Sequence, residues 1–169
     1  MQVKGNDLIA ATHGRSFWMI DDLTPLHQIE NNLNSQSFFL YKPDKAFRVE
    51  QSEEDDETNF KLVGKNHPVG AILHFYIKDL KKDDLVSIEI KEKDGSLIKR
   101  YNNKAKLNNL NPEADLPLAI KSGGNKLIWD MRYPGYKEFE GMVFYSSPNK
   151  GPKAIPGEYL ISLNYNGEV

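Results

Sequence analysis

The chain of 169 residues contains no cysteine, which removes disulfides, thiolate nucleophiles and cysteine-ligated zinc. It has no apolar run near the roughly 18–20 residues that a membrane-spanning helix needs. The opening MQVKGND lacks the apolar core of a signal peptide. Charge of one sign is also missing. The formal net charge is −2, with acids and bases mixed along the sequence, so the basic stripe that tracks a nucleic-acid backbone is absent. Catalytic signatures are equally scarce. There is no GxSxG, P-loop, dinucleotide loop, HxH or HExxH spacing. No internal repeat of about 20–50 residues occurs, so a whole propeller or solenoid does not fit in the chain.

What is present is ordinary soluble-protein composition: 39% hydrophobic and 27% charged residues. The length suits one domain with an appendage, and a body of this size buries roughly 68–70% of its unfolded surface. Period-two alternation dominates. DLIAAT and SFWMID, separated by His13, Gly14 and Arg15, predict a β-hairpin over residues 7–21 with Gly14 free to take positive φ. Leu23, Leu26, Ile29 and Leu33 then follow at helical spacing with Pro25 in a first turn, which predicts a short helix.

Further along, AILHFYIK places Leu73, Phe75 and Ile77 on one strand face, with His74 and Tyr76 on the other. LVSIEIKEKDGSLIKRY reads as a hairpin turning at Asp94-Gly95. NKLIWDMRY groups Leu127, Trp129 and Met131, and GEYLISLNY groups Tyr159, Ile161, Leu163 and Tyr165. Residues 102–122 are polar and weakly periodic, as expected of a long loop or a crossover between sheets. Short strands punctuated by Gly and Pro predict an all-β protein, an Ig-like antiparallel β-sandwich preceded by a hairpin and a short helix. Asn166-Gly167 announces a further turn just before the sequence stops, and both ends read as cut.

Residues 50–59 carry six carboxylates in ten positions. They lack the alternating Asp/Asn spacing and central Gly of a calcium loop, so a charged surface loop is expected. The four histidines are scattered: His13 in the hairpin turn, His27 on the helix, His67 before Pro68, and His74 on an outer strand face. Asp21, Asp22, Asp130 and Glu138 are the acids that a glycosidase reading would draw on. For Asp130 a surface contact with Arg132 is the simpler expectation. Trp129 belongs to the core, leaving Tyr133 and Tyr136, around Pro134-Gly135, as candidates for stacking on a glycan or other ligand. No cofactor and no metal is expected.

The stretch NDLIAATHGRSFWMIDDLTPL, residues 6–26, resembles the end of the last propeller blade in bacterial sortilin-like, BNR-repeat "glycosyl hydrolase" proteins. GGNKLIWDMRYPG and GPKAIPGEYLISLNYNGE are similar to the C-terminal sandwich of those proteins and to the Ig-like domain of the flagellar hook-capping protein. The Asp-box pattern SxDxGxTW of the repeats occurs nowhere in the chain.

The resemblance implies that Thr12-His13-Gly14-Arg15 is a structural turn rather than a catalytic one. It further implies a non-catalytic C-terminal accessory or interaction domain of an exported propeller protein, periplasmic or extracellular, with its signal upstream. A carbohydrate-binding module is the alternative. The expected organisation is a propeller-end hairpin and linking helix over 1–34, an extended linker and acidic loop over 35–59, and a sandwich over 60–169. Leu8, Phe17, Trp18 and Ile20 would be half-covered within the chain and fully covered by an upstream β-propeller of the same polypeptide.

Overall fold

A computed structural model describes residues 1–29, 36–49, 67–106, 115–143 and 150–169. The acidic stretch 50–59, Leu33 and the middle of the polar segment 102–122 lie outside the described residues.

The strongest alternation builds the body. Strand β5 (Ala71–Ile77) follows the period-two pattern expected of it: Leu73, Phe75 and Ile77 are fully buried while His74 and Tyr76 face the other way. Strands β6 (Val86–Lys91) and β7 (Leu97–Asn102) form the hairpin expected at Asp94-Gly95. Gly95 takes φ 91°, a left-handed conformation that a glycine reaches without steric cost. Val86, Ile88 and Ile90 face inward and are completely buried.

Strand β10 (Leu160–Tyr165) pairs antiparallel with β6, placing Leu163 beside Ile88. Strand β9 (Gly123–Trp129) pairs antiparallel with β5, setting Trp129 opposite Ala71. A four-stranded sheet in the order β10-β6-β7-β8 therefore faces a three-stranded sheet in the order β4-β5-β9. Here β4 is Phe38–Leu40 and β8 is Leu116–Pro117. One apolar cluster joins the two sheets, and Trp129 meets Tyr159 edge-on at 5.1 Å within it. Burying each of its large aliphatic side chains stabilises the fold by about 1.5–3 kcal/mol before entropy is charged.

Two features go beyond the alternation. Strand β8 pairs parallel with β7, in register Tyr101 with Leu116, so the polar stretch does carry chain between sheets and leaves a strand behind. Strand β4 lies in the expected linker, yet it is hydrogen-bonded to β5. The sandwich thus takes an edge strand from ahead of Phe60.

At the front, β2 (Asp7–Ala11) and β3 (Phe17–Ile20) form the expected hairpin, with Gly14 at φ 76°. A further strand, β1 (Gln2–Lys4), pairs with β2 and completes a separate three-stranded sheet. Helix α1 (Thr24–His27) has Pro25 in its first turn and is four residues long. Of the expected apolar stripe, Leu23 is buried, but Leu26 and Ile29 are exposed.

Candidate functional site

The side chain with the most consequential surroundings outside the core is His74. Its place on β5 turns it away from the core, and what it meets there comes from the front of the chain. The His74 Nε2 lies 2.7 Å from Asp22 Oδ2. Because an ionised carboxylate only accepts, Nε2 carries the proton and donates. The other oxygen of Asp22 accepts from Asn6 Nδ2 at 2.7 Å and from the Thr24 backbone N–H at 2.9 Å. Asn6 also donates to Thr24 Oγ1 at 2.6 Å and takes the Leu23 N–H on its carbonyl. Burial pushes the Asp22 carboxyl upward, but the hydrogen bonds from Thr24 and His74 outweigh it and hold the group below its usual range.

A second clasp lies at the end of α1. Gln28 donates from Nε2 to the Lys42 carbonyl and accepts the Lys42 N–H on Oε1, both at 2.8 Å. The amide imitates one rung of a β-ladder, and α1 is thereby tied to the segment after β4.

Beside these clasps is an open groove of about 630 Å³, lined by Pro25, Tyr41, His74, Ile120, Lys121 and Lys126 among others, with Gly124 and Asn125 of β9 in its wall. The Asn125 side chain bonds both the N–H and the carbonyl of Lys121. Tyr41 is almost fully buried, and burial raises its hydroxyl above the usual tyrosine range, with Tyr76 adding to it.

The residues singled out in the sequence fall in two other places. Tyr133 is half-buried against the sandwich core, and its hydroxyl donates to Glu92. That bond, chiefly, pushes its pKa up to about 12. Tyr136 is also half-buried, three residues further on. Leu8, Trp18 and Ile20 share one face of the front sheet, because Leu8 pairs with Ile20 and Ala10 with Trp18. Phe17 lies on the opposite face with Met19. Phe17 is 79% exposed, Trp18 65%, Met19 61% and Ile20 49%, whereas Leu8 is partly buried.

No family model, characterised protein or solved structure matches the chain.

Among the acids considered for hydrolysis, Asp22 is the one held by the histidine network. Asp130 pairs with Lys99 Nζ at 2.7 Å, whereas the Arg132 guanidinium donates to the Gly151 carbonyl. The expected Asp130–Arg132 contact is made by the Arg132 backbone N–H, which donates to Asp130 Oδ1 at 3.3 Å, while the charged partner of Asp130 is Lys99, reaching from β7. Met131, two residues after β9, takes φ 52° and turns the chain before Arg132. Among the described residues, no three His, Asp or Glu side chains converge on a point where a metal would sit.

The link between Asp22 and His74 has no local signature, since 52 residues separate them. The nearest sequence signal is His74 itself, a polar aromatic on the outer face of an otherwise apolar strand.

Proposed function

We propose that the chain is a non-catalytic accessory or interaction domain, joined to a β-propeller of the same exported polypeptide. The observation that carries this reading is β3. Its four residues, Phe17, Trp18, Met19 and Ile20, are apolar on both faces, and all four are exposed. A strand solvated on one side alternates apolar with polar residues; a strand apolar on both sides is built for burial on both.

A propeller blade is a four-stranded sheet stacked between neighbouring blades. The front sheet is antiparallel, three-stranded and tightly turned. Such a sheet would serve as an incomplete blade, its bare surface covered by a neighbouring strand and sheet. The resemblance of residues 6–26 to a propeller's last hairpin supports the same occupant. The two clasps at Asp22 and Gln28 give such a blade a fixed seat on the sandwich, so the domain would set geometry rather than carry out chemistry.

Hydrogen exchange tests this reading. Amides of residues 17–20 are followed in the isolated chain and in the polypeptide as its gene encodes it. Strong protection gained only in the longer polypeptide supports the junction. Equal exchange in both rejects it.

A further inference from the structure

We propose that the groove between α1, β5, β9 and the segment 119–121 binds a small organic anion, a ring compound with a carboxylate head. The site is separate from the bare faces of β3 and does not depend on the propeller reading.

The groove has the right scale, since pockets for small ligands run to about 300–1,000 Å³. Its walls supply an apolar and aromatic lining through Pro25, Tyr41 and Ile120, which suits the flat body of a ring. Its charge is one-sided. Lys121 and Lys126 both border it, and among the described residues neither is paired with an acid. Two ammonium groups at one cavity lower the energy of an anion between them, and more so where water is partly excluded.

Asp22, the acid bonded to His74 of the groove wall, does not oppose this, because it is already engaged. Both oxygens of Asp22 accept hydrogen bonds, from Asn6, Thr24 and His74. Those bonds also fix the imidazole as part of the wall. His74 is consequently an oriented polar group with its second ring nitrogen uncommitted to Asp22, the arrangement by which a ligand's position is set.

Gly124 provides the remaining evidence. It is the second residue of β9, paired with Tyr76 of β5, where glycine costs stability relative to a residue with a side chain. It does not need glycine's freedom, because its φ is not in the left-handed region. No atom lies within 4 Å of where its Cβ would stand. The missing side chain leaves the groove open.

The test is calorimetric titration of the full chain with benzoate and with glucuronate, each beside its neutral counterpart, benzamide or glucose. One of the acids is expected to bind at least tenfold tighter than its neutral counterpart. Which acid does so tells whether the ring is aromatic or a sugar. Lys121→Gln with Lys126→Gln is expected to weaken that binding tenfold or more. Gly124→Leu, which fills the open space, is expected to abolish it while the melting temperature holds or rises. The proposal is overturned if neither acid binds, if the neutral compounds bind equally well, or if Gly124→Leu binds as the parent does.

Discussion

His74 Nε2 donates to Asp22 Oδ2 across 2.7 Å, and this bond, with the Gln28–Lys42 clasp, joins the sandwich to the segment that leads out of the front sheet. The ring and the carboxylate are each about one-fifth exposed. Solvent screening is therefore partial, and the contact is stronger than an ion pair standing free on the surface. Asn6 and Thr24 hold the carboxylate from the far side, so the four residues act as one unit.

Replacing Asp22 by Asn breaks this unit without changing its shape, because an amide NH₂ would then face the proton on Nε2. Losing a hydrogen bond to a charged group costs about 1.5–3 kcal/mol. Asp22→Asn is expected to destabilise by an amount at the lower end of that range and to speed amide exchange at Leu23 and Thr24, with the sandwich strands unchanged. Equilibrium urea unfolding with residue-resolved exchange measures both. The sign with pH follows from the depressed folded pKa. The contribution is complete above the unfolded aspartate value of about 3.9, and it is lost as pH falls through the lower folded value. The two proteins therefore converge in acid.

Asp84 and Tyr165 make a second prediction, at both ends of the pH scale. Tyr165 Oη donates to Asp84 at 2.6 Å, and Asn166 donates to the other oxygen at 3.0 Å. These bonds, with the Lys81 N–H, lower the Asp84 pKa to about 2, while the same contact raises Tyr165 to about 12. The carboxylate's contribution is present above about 3.9 and fades toward 2. The phenol's is present below about 10 and fades as pH rises toward 12. Tyr165→Phe is thus expected to lower the melting temperature by a constant amount between about pH 4 and 10, with the difference shrinking outside that window. A difference that persists undiminished at pH 2 would sink the assignment.

Much of the sandwich was legible because its strands obey period two: Leu73, Phe75 and Ile77 on β5, and Val86, Ile88 and Ile90 on β6, are the most buried large side chains among the described residues. The hairpin around Gly14 was legible for the same reason, with a glycine where positive φ is needed. The short helix read from the spacing after Leu23 is there as α1, but at four residues it buries only Thr24 beside its N-cap Leu23 and leaves Leu26 and Ile29 outside. The groove was not legible. Pro25, His74, Ile120 and Gly124 come from separate elements, and a pattern within one element does not report what covers its outer face. Strand β8 escaped as well, since two residues paired in parallel leave no periodicity to read.

The bare strand β3 predicts an unusual separation between stability and association. Phe17 and Met19 face the same way and are mostly exposed, so changing both to Ser removes little that the chain itself buries. Each change is expected to alter folding stability by no more than about 0.5 kcal/mol. Joined to the proposed propeller, however, the same pair is expected to lose the exchange protection of residues 17–20. Thermal melting of the isolated chain and exchange of the long form decide the matter together. A large loss of stability in the isolated chain would mean that β3 packs internally.

Gly151 makes the last prediction, a steric one. It is buried where residues 151–154 run beside 131–134 as a narrow ribbon, with Tyr133 N–H on the Pro152 carbonyl at 3.0 Å and Ala154 N–H on Met131 at 2.7 Å. A Cβ at Gly151 would overlap the backbone carbonyls of Tyr133 and Pro134. Backbone atoms cannot swing aside as the tip of a side chain can, so the ribbon would have to part. Overpacking of this kind costs about 1–3 kcal/mol. Parting the ribbon would also draw Tyr133 away from Glu92. Gly151→Ala is therefore expected to lower the melting temperature and, because the Glu92 contact holds the phenol's pKa near 12, to bring the Tyr133 titration back toward pH 10. Gly157→Ala is the control, because the nearest atom to its added Cβ is the Ile155 carbonyl oxygen at 4.0 Å. If both variants melt with the parent protein, the close approach at Gly151 does not exist in solution.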